Sequence, residues 1–95
     1  MQAKRQNNKA VFKLILEGLL SGTFGTLDDI KDWSESNCSK DITVNISQEE
    51  QLDTLILKFK QSYFLVVLMK LSKPLFLLTW VHGNKVIVQD FVRHY

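Results

Sequence analysis

The stretch Ser62–Asn84, SYFLVVLMKLSKPLFLLTWVHGN, restricts the fold of this chain more than any other. A membrane-crossing helix needs about 20 mostly apolar residues with charge kept from its centre. Here Lys70, Ser72, Lys73 and Pro74 occupy the middle. A lysine at a helix centre costs about 2.5–3.5 kcal/mol on insertion, and proline breaks a helix interior. The halves on either side, Tyr63–Met69 and Leu75–Val81, are too short to span. They are rich in Val, Leu, Phe, Tyr and Trp, which suit strands. Residues 71–74 supply a turn, and His82-Gly83-Asn84 ends the second half. The stretch therefore reads as a β-hairpin. Its strands are apolar on both sides, so both sides need a cover, from helices or from a partner.

Upstream, residues 8–20 predict a helix with Asn8 as cap and a broad stripe of Val11, Phe12, Ile15, Leu16, Leu19 and Leu20. Gly22-Thr23-Phe24-Gly25 has the GxxG spacing of a KH-domain loop but lacks its basic residue, and reads as a helix stop and turn. Thr26 caps a short helix from Leu27 to Trp33, with Asp28 and Asp29 at its positive end. Residues 34–40 read as a polar linker, and residues 41–46 alternate as a half-buried strand does. Ser47-Gln48-Glu49-Glu50 has capping-box spacing. Behind it, Leu52, Leu55, Ile56 and Phe59 fall at helical spacing, predicting a third helix over residues 48–61. The tail, 85–95, suits a strand by its Val86-Ile87-Val88 and a helix by the placing of Ile87, Val88, Phe91, Val92 and Tyr95.

Ninety-five residues make one small domain, expected over residues 9–95 behind a basic arm over 1–8. The net charge is only +2, which argues against strong polyanion binding, yet the charge is segregated. Residues 28–53 hold eight of the ten acids, while Lys4, Arg5, Lys9 and Lys13 lie before them and six bases follow. The single cysteine, Cys38, has no internal disulfide partner, and with only His82 and His94 it cannot complete a zinc cluster. Residues 11–20 are interrupted by Lys13, Glu17 and Gly18 and make no convincing signal peptide. The chain reads as soluble, reduced and intracellular, in cytoplasm or nucleus, with no membrane segment and no cofactor.

The order helix, short helix, short strand, helix, hairpin is that of a winged-helix domain. Residues 55–64, LILKFKQSYF, then 78–85, LTWVHGNK, and a final apolar segment resemble the winged-helix repeats of the non-SMC RING subunit of a eukaryotic SMC complex. The cysteine-rich RING of that family is missing, so ligase activity is not carried over. The resemblance implies a protein-docking winged helix in a chromosome-associated assembly. The fold expected is thus α+β and winged-helix-like, three helices plus a β-hairpin. The alternative is helices packed on a three- to four-stranded antiparallel meander, acting as a homodimeric adaptor through an uncovered sheet face.

Candidate sites follow from chemistry. No Ser or Cys has an activating context, and Asp28, Asp29 and Asp32 suit a solvated helix start, so the chain reads as non-enzymatic. Three carboxylates at the start of the expected third helix would face a DNA polyanion. Weak, non-specific nucleic-acid contacts would instead use Lys4, Arg5, Lys9, Lys13, Lys70 and Lys73, with Lys85 near the wing. Protein binding has the better case. Large rings are enriched at interface cores, and Phe64, Phe76, Trp80 and Trp33 are the residues expected to meet another protein chain, in a hetero-complex or a dimer.

Overall fold

The structure, a computed structural model, describes residues 7–38 and 40–93. Two helices, α1 (Asn8–Ser21) and α2 (Leu27–Asn37), precede five strands: β1 (Thr43–Gln48), β2 (Leu52–Lys58), β3 (Ser62–Met69), β4 (Leu75–His82) and β5 (Lys85–Arg93). The strands form one antiparallel sheet in the order β1-β2-β3-β4-β5. This corrects the three-helix, winged-helix-like fold. The α+β class stands, and the meander alternative is near, with one or two strands more than it allowed. The basic arm proper, including Lys4 and Arg5, lies outside the described residues.

The opening hairpin forms as the sequence predicts, with Phe64 opposite Trp80 and Leu68 opposite Phe76. The third helix does not form; its residues are the end of β1, strand β2 and the turns on either side of β2. The helical spacing of Leu52, Leu55, Ile56 and Phe59 coexists with a two-residue period in Asp53, Leu55 and Leu57. The sheet uses the second. Leu55 and Leu57 are fully buried, while Leu52 and Ile56 are 37% and 38% exposed. The expected capping box lies at the β1–β2 turn, where Glu49 N–H donates to Leu52 O at 2.9 Å. Local spacing lost to pairing because β2 has a partner on each side, β1 and β3. The tail resolves as strand β5. Ile87 is an extra residue there: Trp80 pairs with Val88 and Val81 with Val86. Such a bulge bends the edge strand and increases its twist.

The helices are built as their termini dictate. Asn7, not Asn8, caps α1 by accepting from Ala10 N–H at 2.8 Å, and Gly22 ends it at φ 83°, a left-handed conformation that glycine adopts without strain. Thr26 and Asp29 form a reciprocal capping box on α2. That helix continues through Asn37, so the expected polar linker is mostly helical. Phe24, in the connection, is buried with its ring against Gly18 of α1 and 5.8 Å from Trp33 of α2.

Both helices lie on the same side of the sheet, α2 over β1 and β2, α1 over β4 and β5. The core is the layer between: Val11, Phe12, Ile15 and Leu19 from α1, Leu27 and Ile30 from α2, and Leu55, Leu57, Phe64, Val66, Phe76, Leu78 and Val92 from the sheet. The molecule is 20 Å deep along its shortest axis, the depth of a single helix layer on a single sheet.

Candidate functional site

Strand alternation decides what the other side of the sheet presents. With Leu55, Leu57, Phe64, Val66, Phe76, Leu78 and Val92 directed to the helices, the opposite side chains are Ile56 on β2, Tyr63, Leu65, Val67 and Met69 on β3, Leu75, Leu77, Thr79 and Val81 on β4, and Val86 and Phe91 on β5. No element of the described chain covers them. They shield one another unequally. Val81 and Thr79 are buried among their neighbours, Leu65, Val67 and Leu77 are half-buried, and Phe91 stands 63% exposed. Across the centre, Leu65 opposes Thr79 and Val67 opposes Leu77, which in turn opposes Phe91. Gln89 Nε2 donates to Thr79 Oγ1 at 3.1 Å and satisfies the hydroxyl among the apolar groups.

Among the described residues, charge on this face is confined to strand ends. Lys58 ends β2 beside the start of β3, and Arg93 ends β5 beside the start of β4, so the two cations stand diagonally opposite. On the β1 side the face ends in Thr43, Asn45 and Ser47, all exposed. No carboxylate alternates onto it. An apolar centre, a polar rim and no central charge are the anatomy of a protein interface. Comparison with known proteins returns no matching family, no similar curated protein and no similar solved structure.

The residues expected to bind a partner lie on the opposite side. Phe64 and Phe76 are fully buried under the helices, and the folded chain has neither to offer. Trp80 is half-buried there, its ring 6.2 Å from Phe12 and 5.9 Å from Phe64, with the indole Nε1 enclosed without a hydrogen-bond partner. Trp33 packs against Phe24. The helices cover one face of the hairpin, and the face that the described chain leaves open is that of Leu65 and Leu77. From the sequence, which of Phe76 and Leu77 faces out stays open, and Leu65 is passed over because aromatic rings weigh above aliphatic side chains. The signal was the length of the two-sided run, which obliged alternate residues to face away from the helices.

Of the cations expected to contact nucleic acid, those among the described residues do not converge. Lys9 and Lys13 are exposed on α1, near the end of the sheet where Asn8 lies beside Ser62 and His82. Lys70 and Lys73 lie beyond the far end of β3, about 26 Å away along an eight-residue strand. Lys70 is also engaged: its Nζ sits 2.8 Å from Asp53 Oδ1 and donates to Glu49 O at 2.8 Å. The acids Asp28, Asp29, Asp32 and Glu35 fall on α2, so the helix layer is basic on α1 and acidic on α2.

Two concave features remain. A shallow groove of about 480 Å³ runs between α1 and the β4–β5 edge, floored by Phe12, Leu16, Trp80 and Val88 and rimmed by Lys9, Lys13 and Asp90. At the sheet end, Ser62 Oγ and His82 Nδ1 are 2.5 Å apart across the β3–β4 pair. A serine nucleophile must reach its substrate as well as its base, and Ser62 is only 2% exposed. The bond fastens the strand ends together. Among the described residues no three metal-ligating side chains lie together, and no helix is long and apolar enough to cross a membrane.

Proposed function

We propose that this chain is a non-enzymatic protein-interaction module, a subunit or adaptor, that docks another protein chain on the open face of its sheet. The observation that carries this reading is the two-sided hydrophobicity of β3 and β4, covered by helices on one side only. Antiparallel sheets commonly solvate their outer face with polar side chains. Here β3 presents Tyr63, Leu65, Val67 and Met69 there, and β4 presents Leu75, Leu77 and Val81. Large contiguous apolar patches on a protein surface mark interaction sites.

The test separates surface from core. Leu65→Lys and Leu77→Lys replace outward side chains without entering the helix–sheet layer. The expected result is an unchanged far-UV circular dichroism spectrum together with an altered mass in solution or a marked gain in solubility. Leu20→Lys, on the exposed side of α1 at 65% exposure, is the control and changes neither. Variants of the sheet face that behave in every respect like the wild type would show that the face is merely surface.

A further inference from the structure

We infer that the occupant of the open face is a second copy of this chain, giving a closed two-fold dimer in which two five-stranded sheets pack face to face with both helix layers outside. The inference rests on the docking reading above and adds the identity of the partner. Its first support is charge. A two-fold interface brings each patch onto its own copy, so it must be self-complementary. The centre of the face carries no charge, and its two cations stand at opposite ends of the strands, Lys58 on β2, one strand in from the β1 edge, and Arg93 on the β5 edge. A two-fold axis in the plane of the interface, parallel or perpendicular to the strands, sends each copy's Lys58 and Arg93 to places the other copy leaves without charge. Four cations thus occupy four separate places, all at strand ends. A different partner chosen by charge would need a cluster of one sign to meet, and this face has none.

The second support is size. Five strands about 4.8 Å apart, with about seven residues each at roughly 3.3 Å per residue, make a face of roughly 24 by 23 Å, about 550 Å² in projection. Two such faces remove roughly 1,100 Å² in projection, and more once the side-chain relief is included. That exceeds most crystal-packing contacts and approaches the lower bound of about 1,200 Å² for specific interfaces. The third support is closure. Stacking by faces uses up both apolar surfaces at once, whereas open-ended growth needs the β5 edge as well as β1, and the β5 edge carries the bulge at Ile87 together with Lys85 and Arg93.

Analytical ultracentrifugation of the full chain over a dilution series tests the inference, with Leu77→Lys and Phe91→Lys as variants. Phe91 lies on the edge strand and is mostly exposed, so its replacement keeps the fold even if that of Leu77 does not. The expected wild-type species has twice the 11.0 kDa chain mass. Leu77→Lys should weaken self-association by at least about 30-fold, the loss expected of a central anchor, and Phe91→Lys, at the edge, by a smaller but measurable factor, each with its circular dichroism unchanged. A wild type that stays monomeric and freely soluble at several hundred micromolar, with variants indistinguishable from it, overturns both the dimer and the docking reading. A wild type that forms no discrete dimer but aggregates, cured by either variant, overturns the second copy as occupant and leaves the docking reading standing. A dimer that persists in both variants overturns the inference by placing the contact elsewhere.

Discussion

Phe76 and Leu77 are neighbours in the chain and opposites in the fold. Phe76 is fully buried beneath the helices, and Leu77 belongs to the open face. Phe76→Asp therefore places an unpaired carboxylate in the core and should abolish cooperative unfolding, whereas Leu77→Asp should retain the native circular dichroism spectrum. Gly18 gives a second residue-scale test. A Cβ there would lie 2.3 Å from the Phe24 ring, which is held against Trp33. Alanine in a helix is ordinarily worth up to about 1 kcal/mol over glycine. Overpacking should outweigh that gain, and Gly18→Ala should lower stability by about 1–3 kcal/mol in denaturant titration. In a Phe24→Ala background the same change should stabilise, since the ring is gone. Asp29 carries a pH dependence. Hydrogen bonds from the Gly25 and Thr26 backbone N–H groups hold its carboxyl below the ordinary 3.8, outweighing a small opposing effect of desolvation. The contribution is then complete above the ordinary value and disappears as pH falls through the lowered one. The melting-temperature deficit of Asp29→Ala relative to wild type should be present at pH 7 and shrink below about pH 4.

At the scale of elements, β2 marks where the sequence misleads. Residues 52–59 satisfy a helical period and a strand period together, and nothing inside the segment chooses between them. The choice is made by β1 and β3, which pair with both of its edges. Leu57 discriminates, because it falls outside the helical stripe yet is fully buried in the strand. Leu57→Ala should cost about 2–5 kcal/mol, and Glu50→Ala, in a turn rather than a capping box, should stay within about 0.5 kcal/mol. The elements that were legible carry their signals locally. Gly22 stops α1, Thr26 caps α2, and the charged break at residues 70–74 divides β3 from β4. The open face was legible in outline, because strands apolar on both sides turn alternate apolar residues away from the helices. Its membership was not. Which of two adjacent residues faces the helices depends on where α1 and α2 lie, and that is a tertiary fact.

For the whole molecule, the decisive feature is that α1 rests on the last two strands. Its stripe of Val11, Phe12, Ile15 and Leu19 closes over the side of the sheet that holds Phe76, Leu78 and Val92. Loosening that contact should act at a distance in sequence. In Val92→Ala the amides of α1 should exchange with deuterium faster, while those of α2, seated on β1 and β2, keep most of their protection. The arrangement also sets an order of events during synthesis. Roughly 60 residues separate the end of α1 from the beginning of β5. At about 5–20 residues per second, the ribosome needs several seconds to deliver them. From the completion of β2, part-way through that interval, α2 can already find β1 and β2, whereas α1 carries a finished apolar stripe with nowhere to lie. Although α1 emerges before α2 it is seated after it, and the nascent chain exposes to chaperones the surface that β4 and β5 will later hide.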